Sequence, residues 1–210
     1  MKKTMIIIPI GLFILQFSKA QDTTNYLSKK NEINIGYFNL FQLNSINNLG
    51  IGYKHAFGNS ALRLGTSLSY NYSDNSSGND SIKQTSKKIS TTIIPRIGYE
   101  FRQNYGRIFV YYGIDVSYSI QKEINNNYYG TNSKNEYITH GLGLNPLIGI
   151  KYFFNKNFSI STETSLNFMY SSQKLKSSNY YDNNEETLNK NKNIYVNLSP
   201  LGIFSLNYHF

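Results

Sequence analysis

The sequence predicts an all-β fold, an eight-stranded antiparallel up-and-down transmembrane β-barrel. Three observations predict it. Apolar residues recur at every second position along most of the chain, the period of a strand with two unlike faces. Eight such segments are joined by connections that alternate between longer and shorter. Aromatic side chains are abundant, with 19 Tyr and 13 Phe but no Trp, and no Cys accompanies them.

The first twenty residues read as a processing signal. Met1-Lys2-Lys3 is a short positive start, and Thr4 to Phe17 is dominated by Ile, Leu and Phe. Ser18-Lys19-Ala20 then sets small residues at −3 and −1 before Gln21, the pattern of a cleaved secretory leader. The apolar run is shorter than the ~20 residues of a membrane-spanning helix, and Pro9 and Gly11 interrupt it. The expected division is therefore a signal peptide over 1–20, a short N-terminal segment over 21–31, and a barrel over 32–210. Cleavage removes Lys2, Lys3 and Lys19 and no acid, so the formal charge falls from +9 to +6. The remaining bases are scattered along the chain, which together with export argues against a nucleic-acid partner. Without Cys there is no disulfide framework, no thiolate metal site and no lipid-modified N-terminal Cys. Mean hydropathy is −0.43, and no 18-residue apolar run follows residue 20, which excludes a helical membrane protein. A barrel is not excluded, because only alternate residues of its strands must be apolar.

Alternation predicts strands over 32–41, 49–57, 61–73, 87–102, 107–120, 136–154, 158–172 and 192–210. The seventh is the clearest. Phe158, Ile160, Thr162, Thr164, Leu166, Phe168 and Tyr170 share one face, and Ser159, Ser161, Glu163, Ser165, Asn167, Met169 and Ser171 share the other. The eighth behaves likewise, except that Leu201 and Ile203 break the pattern around Pro200 and Gly202. The intervening links have 7, 3, 13, 4, 15, 3 and 19 residues. Antiparallel strands put the even-numbered links at one end and the odd-numbered ones at the other. One end thus carries only tight turns, and the other carries polar loops rich in Asn, Ser, Lys and Tyr. Short periplasmic turns opposite longer extracellular loops are the pattern of outer-membrane barrels. Most strands also exceed the ~9–11 residues that cross a bilayer, and closure leaves no sheet edge facing lipid.

Ile94-Pro95-Arg96-Ile97-Gly98, Asn145-Pro146-Leu147-Ile148-Gly149 and Ser199-Pro200-Leu201-Gly202 lie in the fourth, sixth and eighth strands. Pro removes a ladder donor and Gly permits a bulge, so each predicts a bend in the wall.

Alternation alone does not say which face looks inward, and a secreted barrel with an apolar cavity has the same period. Charge placement favours the membrane version. Lys54, Arg63, Arg96, Glu100, Asp115, Lys151 and Glu163 all fall on the Ser/Gly/Asn-rich face of their strands. In an eight-stranded barrel that face has little spare bore, so these seven are expected to meet as an interior charge network. A polar plug is the expectation, with a gated narrow conduit as the alternative. Tyr53, Tyr70, Tyr72, Tyr99, Tyr112, Tyr118, Tyr152, Tyr170 and Tyr208 lie on the opposite face, where Tyr near strand ends suits aromatic girdles. Tyr111 is the exception, on the polar face.

Phe204, Leu206, Tyr208 and the final Phe210 recur at period 2. They resemble the terminal signal by which outer-membrane proteins are recognised by the barrel assembly machinery. Residues 31–210 resemble the small outer-membrane β-barrel domain family of OmpA-, OmpX- and OmpW-like barrels, most of all in the stretch from Ile148 to Glu163. That resemblance implies an outer-membrane location in a Gram-negative-type bacterium. It also implies a membrane of lipopolysaccharide and other outer-membrane lipids around the wall. The role it implies is structural or surface-interacting, with porin-like passage of small or apolar solutes as the alternative.

Residues fit for chemistry are few. Some small barrels modify lipid A, which needs a His beside a nucleophile or acid. His55 and His209 fall near the turn end. His140 lies near the outer rim, with Glu136 four residues before it and Ser119 or Ser171 on neighbouring strands. A rim His at the lipid–water interface explains His140 without catalysis, so no catalytic, cofactor or metal residue is expected. Lys83, Lys87, Lys88, Lys122, Lys134, Lys174, Lys176, Lys190 and Lys192 lie in or beside the outer loops, where they either attract lipopolysaccharide phosphates or simply keep the loops solvated. An extracellular ligand of those loops is a further candidate partner. Asp22-Thr23-Thr24 and Asp80-Ser81-Ile82 resemble a short bacterial O-glycosylation motif.

Overall fold

A computed structural model describes residues 29–38, 49–77, 84–128, 133–179 and 182–210. The expected signal peptide and both glycosylation-like triplets lie outside the described residues. Eight strands follow in order: β1 (Asn31–Phe38), β2 (Leu49–Phe57), β3 (Ser60–Ser77), β4 (Gln84–Tyr105), β5 (Ile108–Tyr128), β6 (Ser133–Phe153), β7 (Phe158–Asn179) and β8 (Asp182–His209). Each pairs antiparallel with the next, and β8 returns to β1 to close the barrel. The seam is tied by reciprocal backbone bonds, Asn31 N–H to Phe210 O at 3.2 Å and Phe210 N–H to Asn31 O at 3.0 Å. Both barrel termini therefore share the end that carries the tight turns. There Gly58 and Gly106 take φ of 61° and 71°, the left-handed region that glycine reaches without a Cβ clash. The third turn is held by Asn155, whose Oδ1 accepts from the backbone of Asn157 and Phe158.

The strands differ from expectation at the opposite end. β4 starts at Gln84 rather than 87, β5 continues to Tyr128 rather than 120, and β8 starts at Asp182 rather than 192. Stretches read as loops are tall two-stranded ladders; β7 and β8 still pair at Asn179↔Asp182. Asn, Ser and Lys conceal strand in these stretches because both faces are wet, so no apolar alternation marks them. β1 is described over Asn31–Phe38, and the last three residues of the expected strand, 39–41, lie outside the described residues. Among the described residues β1 meets β8 only up to Phe38↔Ile203, and β2 meets β3 only up to Leu49↔Leu68. From β3 to β8 the described strands are long, 18 to 28 residues each.

The three Pro–Gly segments are not equivalent. Pairing of β4 with β5 lapses at Ile94 and Pro95, and that of β6 with β7 at Asn145 and Pro146, each resuming in register. Only the third is a true bulge. Between Glu163↔Ile203 and Ser165↔Ser199, one residue of β7 faces three of β8. Two extra residues preserve the strand's parity, so Ile203 stays on the inner face, beside Ser205 and Asn207.

The two faces divide sharply. Asp115 is 2% exposed and its neighbour Val116 is 45% exposed. Ile35, Ile51, Leu64, Ile97, Ile114, Leu144, Ile148 and Leu206 are all exposed on the outside, while charged groups fill the inside. Water on the outer face would leave an apolar band around the whole wall, far beyond the patches that soluble proteins show. The architecture is that of a transmembrane β-barrel. Aromatic rings border the band. At the turn end, Phe57, Tyr99, Phe101 and Tyr112 run ring to ring with centroids 5.9, 5.1 and 5.6 Å apart, and Phe158, Tyr208 and Phe210 continue the belt. Toward the rim, Tyr70, Tyr72, Tyr118 and Tyr170 are exposed.

Candidate functional site

The lumen is filled in layers, beginning at the turn end. Phe109 and Phe153, each 2% exposed, form an apolar floor with ring centroids 4.7 Å apart. His209 packs on Phe153 at 4.7 Å, with its Nε2 2.8 Å from Ser159 Oγ.

Above the floor lies a layer of buried charge. Lys54 donates to Glu100 at 2.9 Å and stands 3.9 Å from Glu32. Arg102 donates through Nε to the other Glu100 oxygen at 2.7 Å and reaches Glu32 at 3.7 Å. Lys151 is ion-paired with Glu32 as well. Tyr111 lies among these cations, with Lys54 Nζ 4.6 Å from its ring centroid, a cation–π contact. Gly149 makes room for that ring, since a Cβ there would fall on it. An aromatic residue on the polar face is thus explained as the filler of the charged layer.

Arg63 is the hub of the next layer. Its Nη1 donates to Glu100 at 2.8 Å, and its Nη2 donates to Asp115 at 3.2 Å and to both Glu163 oxygens at 3.1 Å. Its Nε stands 3.0 Å from Asp115 Oδ1. One guanidinium therefore joins carboxylates from β4, β5 and β7, a use of the planar donor fork that an ammonium could not match. Tyr111 adds a hydroxyl donated to Glu163 at 3.3 Å. A gap of about 40 Å³ in this layer is lined in part by Lys54, Arg63, Asp115 and Glu163, room for a few waters.

Lys54, Arg63, Glu100, Asp115, Lys151 and Glu163 thus lie in these two layers. Arg96 sits one layer nearer the rim, donating through Nη2 to Ser67 at 3.2 Å. Sequence reasoning left Glu32 and Arg102 out of this network, each at the limit of an assigned strand, while His209 falls on the polar face of the eighth strand and points inward. Parity was the available signal, because Glu32 precedes Asn34 and Gly36 on one face and Arg102 follows Glu100 on another.

The His140 constellation does not form. His140 is exposed on the outer face, and its Nδ1 lies 3.0 Å from the Tyr118 hydroxyl. Ser119 and Ser171 are buried in the interior at 7% and 4% exposure, on the other side of the wall. Glu136 accepts instead from Lys122 at 2.8 Å, and that hydrogen bond holds its carboxyl below the ordinary value. Lys87 and Lys88 are likewise paired, with Asp74 at 3.6 Å and Glu123 at 3.0 Å, which tempers the basic character expected of the rim. Phe204, Leu206, Tyr208 and Phe210 all face outward, each between 42% and 54% exposed.

No family model matches the chain, and no curated protein matches it. Among solved structures the chain is similar to CarO from Acinetobacter baumannii, with 14% identity and a TM-score of 0.42 over 89% of this chain and 100% of that one. It is similar also to a major outer membrane protein from Thermus thermophilus, with 11% identity and a TM-score of 0.42 over 87% and 100%. The ferric yersiniabactin uptake receptor FyuA from Yersinia pestis gives 9% identity and a TM-score of 0.40 over 72% of this chain, which spans only 24% of that receptor. Identities this low speak to fold alone, and the barrel rests on its own strand pairing.

Proposed function

We propose that the chain is a non-enzymatic outer-membrane barrel of a Gram-negative-type bacterium, exported by residues 1–20, with a sealed lumen and a working surface at its outer rim. The filled lumen carries this reading. A solute crossing the barrel would have to part the Arg63 contacts, the Glu32–Lys151 and Glu100–Arg102 pairs, and then the Phe109–Phe153 floor. Parting the ion pairs would expose buried charge, which is costly. The tall ladders from β3 to β8 place their polar hairpins well beyond the aromatic belt, where they can meet lipopolysaccharide or an extracellular ligand. A lipid-modifying reading loses support because His140 and the serines lie on opposite sides of the wall.

Planar bilayers test the seal. The protein should give no steady conductance at neutral pH, and the paired change Phe109→Ala with Phe153→Ala should still give little, because the ion layers above the floor remain. Regular single-channel steps from the unaltered protein would favour the narrow-conduit reading instead.

The terminal pattern belongs to the same proposal. Deleting Phe210 removes one outward ring and the reciprocal pair of seam hydrogen bonds with Asn31. The expected result is less heat-modifiable barrel in the outer membrane with export unaffected. Normal levels of folded barrel after the deletion would count against an assembly role for Phe204, Leu206, Tyr208 and Phe210.

A further inference from the structure

The outward faces of β6, β7 and β8 carry a compact polar patch just beyond the aromatic border, and strand register places it. Ser172 of β7 stands opposite His140 of β6 on one side and Lys192 of β8 on the other. Two residues away along β7, the spacing that returns a side chain to the same face, lie Lys174 toward the rim and Tyr170 toward the midplane. Opposed residues on one face are about 5 Å apart and diagonal ones about 7–8 Å, so these side chains surround a single spot centred on Ser172. His140, Lys174 and Lys192 are all exposed.

Charge sets this patch apart from the rest of the rim. On β3 and β4, Lys87 meets Asp74 at 3.6 Å. On β5 and β6, Lys122 meets Glu136 at 2.8 Å. Those outward cations are balanced. Among the described residues no carboxylate pairs with Lys174 or Lys192, and the register sets a further lysine, Lys190, across from Lys174. Like charges opposed on a ladder are destabilising, and a multivalent anion held between them removes the repulsion. Toward the midplane the surface turns apolar, with Phe168, Val196 and Leu198 exposed on the outer face.

We propose that this face binds a phosphorylated, acylated glycolipid of the lipid A class. Lys174, Lys192 and Ser172 hold a phosphate, and an acyl chain lies along Phe168, Val196 and Leu198. A phosphomonoester carries about −1.5 to −2 charge and three acceptor oxygens, which two ammoniums and a hydroxyl match as donors. A free anion would leave the apolar strip uncovered, and a neutral lipid would leave the lysines opposed. The inference rests on the reading of the chain as an outer-membrane barrel, and it assigns that membrane's outer lipid to one side of the wall.

The test uses the full-length protein, folded in a zwitterionic detergent and titrated calorimetrically at fixed sodium chloride. The probes are diphosphorylated lipid A, the same lipid after phosphatase treatment, phosphatidylglycerol and sodium phosphate. Lipid A should saturate one site, with each of the other three weaker by roughly tenfold or more. Lys174→Gln and Lys192→Gln should each weaken lipid A roughly fivefold, the worth of one lysine beside an anionic lipid. Lys192→Arg should retain binding, and Ser172→Asp, which sets a carboxylate at the centre, should abolish it. Lys156→Gln makes the same charge change in an exposed turn at the other end and should have no effect. Absence of saturable binding, or equal binding of lipid A before and after phosphatase treatment, would overturn the proposal. So would binding of phosphatidylglycerol or inorganic phosphate as tight as that of lipid A. A loss in Lys156→Gln as large as in Lys192→Gln would overturn it too, by showing attraction to diffuse charge. Should either lysine variant fail to give a heat-modifiable barrel, Ser172→Asp decides, and wild-type binding by that protein would overturn the proposal. The titration needs no bilayer, so the lipid site and the membrane placement of the wall can fail separately.

Discussion

Replacing Arg63 with leucine should destabilise the folded barrel by about 3–5 kcal/mol, the cost of removing one partner from a buried ion cluster. Leucine fills part of the volume, so the loss is electrostatic rather than a cavity effect. Glu100 would keep Lys54 and Arg102, but among the described residues Glu163 would be left with the Tyr111 hydroxyl and Asp115 would lose both of its contacts with the Arg63 guanidinium. Two buried carboxylates would then lose the guanidinium that bridges them. Arg63→Lys should recover only part of the loss, because one ammonium cannot reach three carboxylates. Glu163→Gln should cost less than either, since Arg63 would retain Glu100 and Asp115. Urea unfolding in lipid vesicles, scored by mobility on unheated gels, gives the order of stabilities. A stability of Arg63→Leu within ~1 kcal/mol of the unaltered protein would show that the cluster is not a structural hub, since removing a partner from a buried pair costs several times that.

The faces of the wall were legible because strand period and barrel closure leave each residue only two directions. Once Lys54, Arg63 and Glu163 fall on the Ser/Gly/Asn face, their convergence follows from the narrow bore of eight strands. Their pairing does not follow. Arg63 and Glu163 are 100 residues apart, and whether they stand at one level depends on strand tilt and register, which no local pattern encodes. Glu32 and Arg102 escaped notice for a related reason, since they sit where alternation fades at strand limits. At the rim the failure had another cause. Strands whose two faces are both wet carry no apolar period, so Asn- and Lys-rich ladder reads as loop. Pro200 and Gly202 predicted a bend correctly, but the same pattern at Pro95 and Pro146 interrupts pairing without adding a residue. The difference lies in the partner strand's register, which the Pro–Gly pattern itself does not contain.

Arginine at Val116 should cost about 2–4 kcal/mol, as expected for a lipid-facing cation near the bilayer midplane. Val116 lies between Tyr112 and Tyr118 along β5, and its cross-strand partners are Ile97 and Leu144. All three of these apolar side chains are exposed, so the new guanidinium would find hydrocarbon and no acid nearby. Tyr118→Arg, at the aromatic border beside His140, should cost only ~0–1 kcal/mol, because the charge can reach water there. A soluble barrel with an apolar outside would behave in the opposite way, since arginine on a wet surface is close to neutral. The chain contains no Cys, which permits a direct check by single substitution. Val116→Cys in vesicles should react with a lipid-soluble maleimide and resist a bulky water-soluble one. Glu163→Cys should resist the bulky reagent as well, because the site is buried within the lumen, 6% exposed. Efficient labelling of position 163 by the bulky reagent, with position 116 protected from both, would invert the two faces and remove the basis for placing this barrel in a membrane.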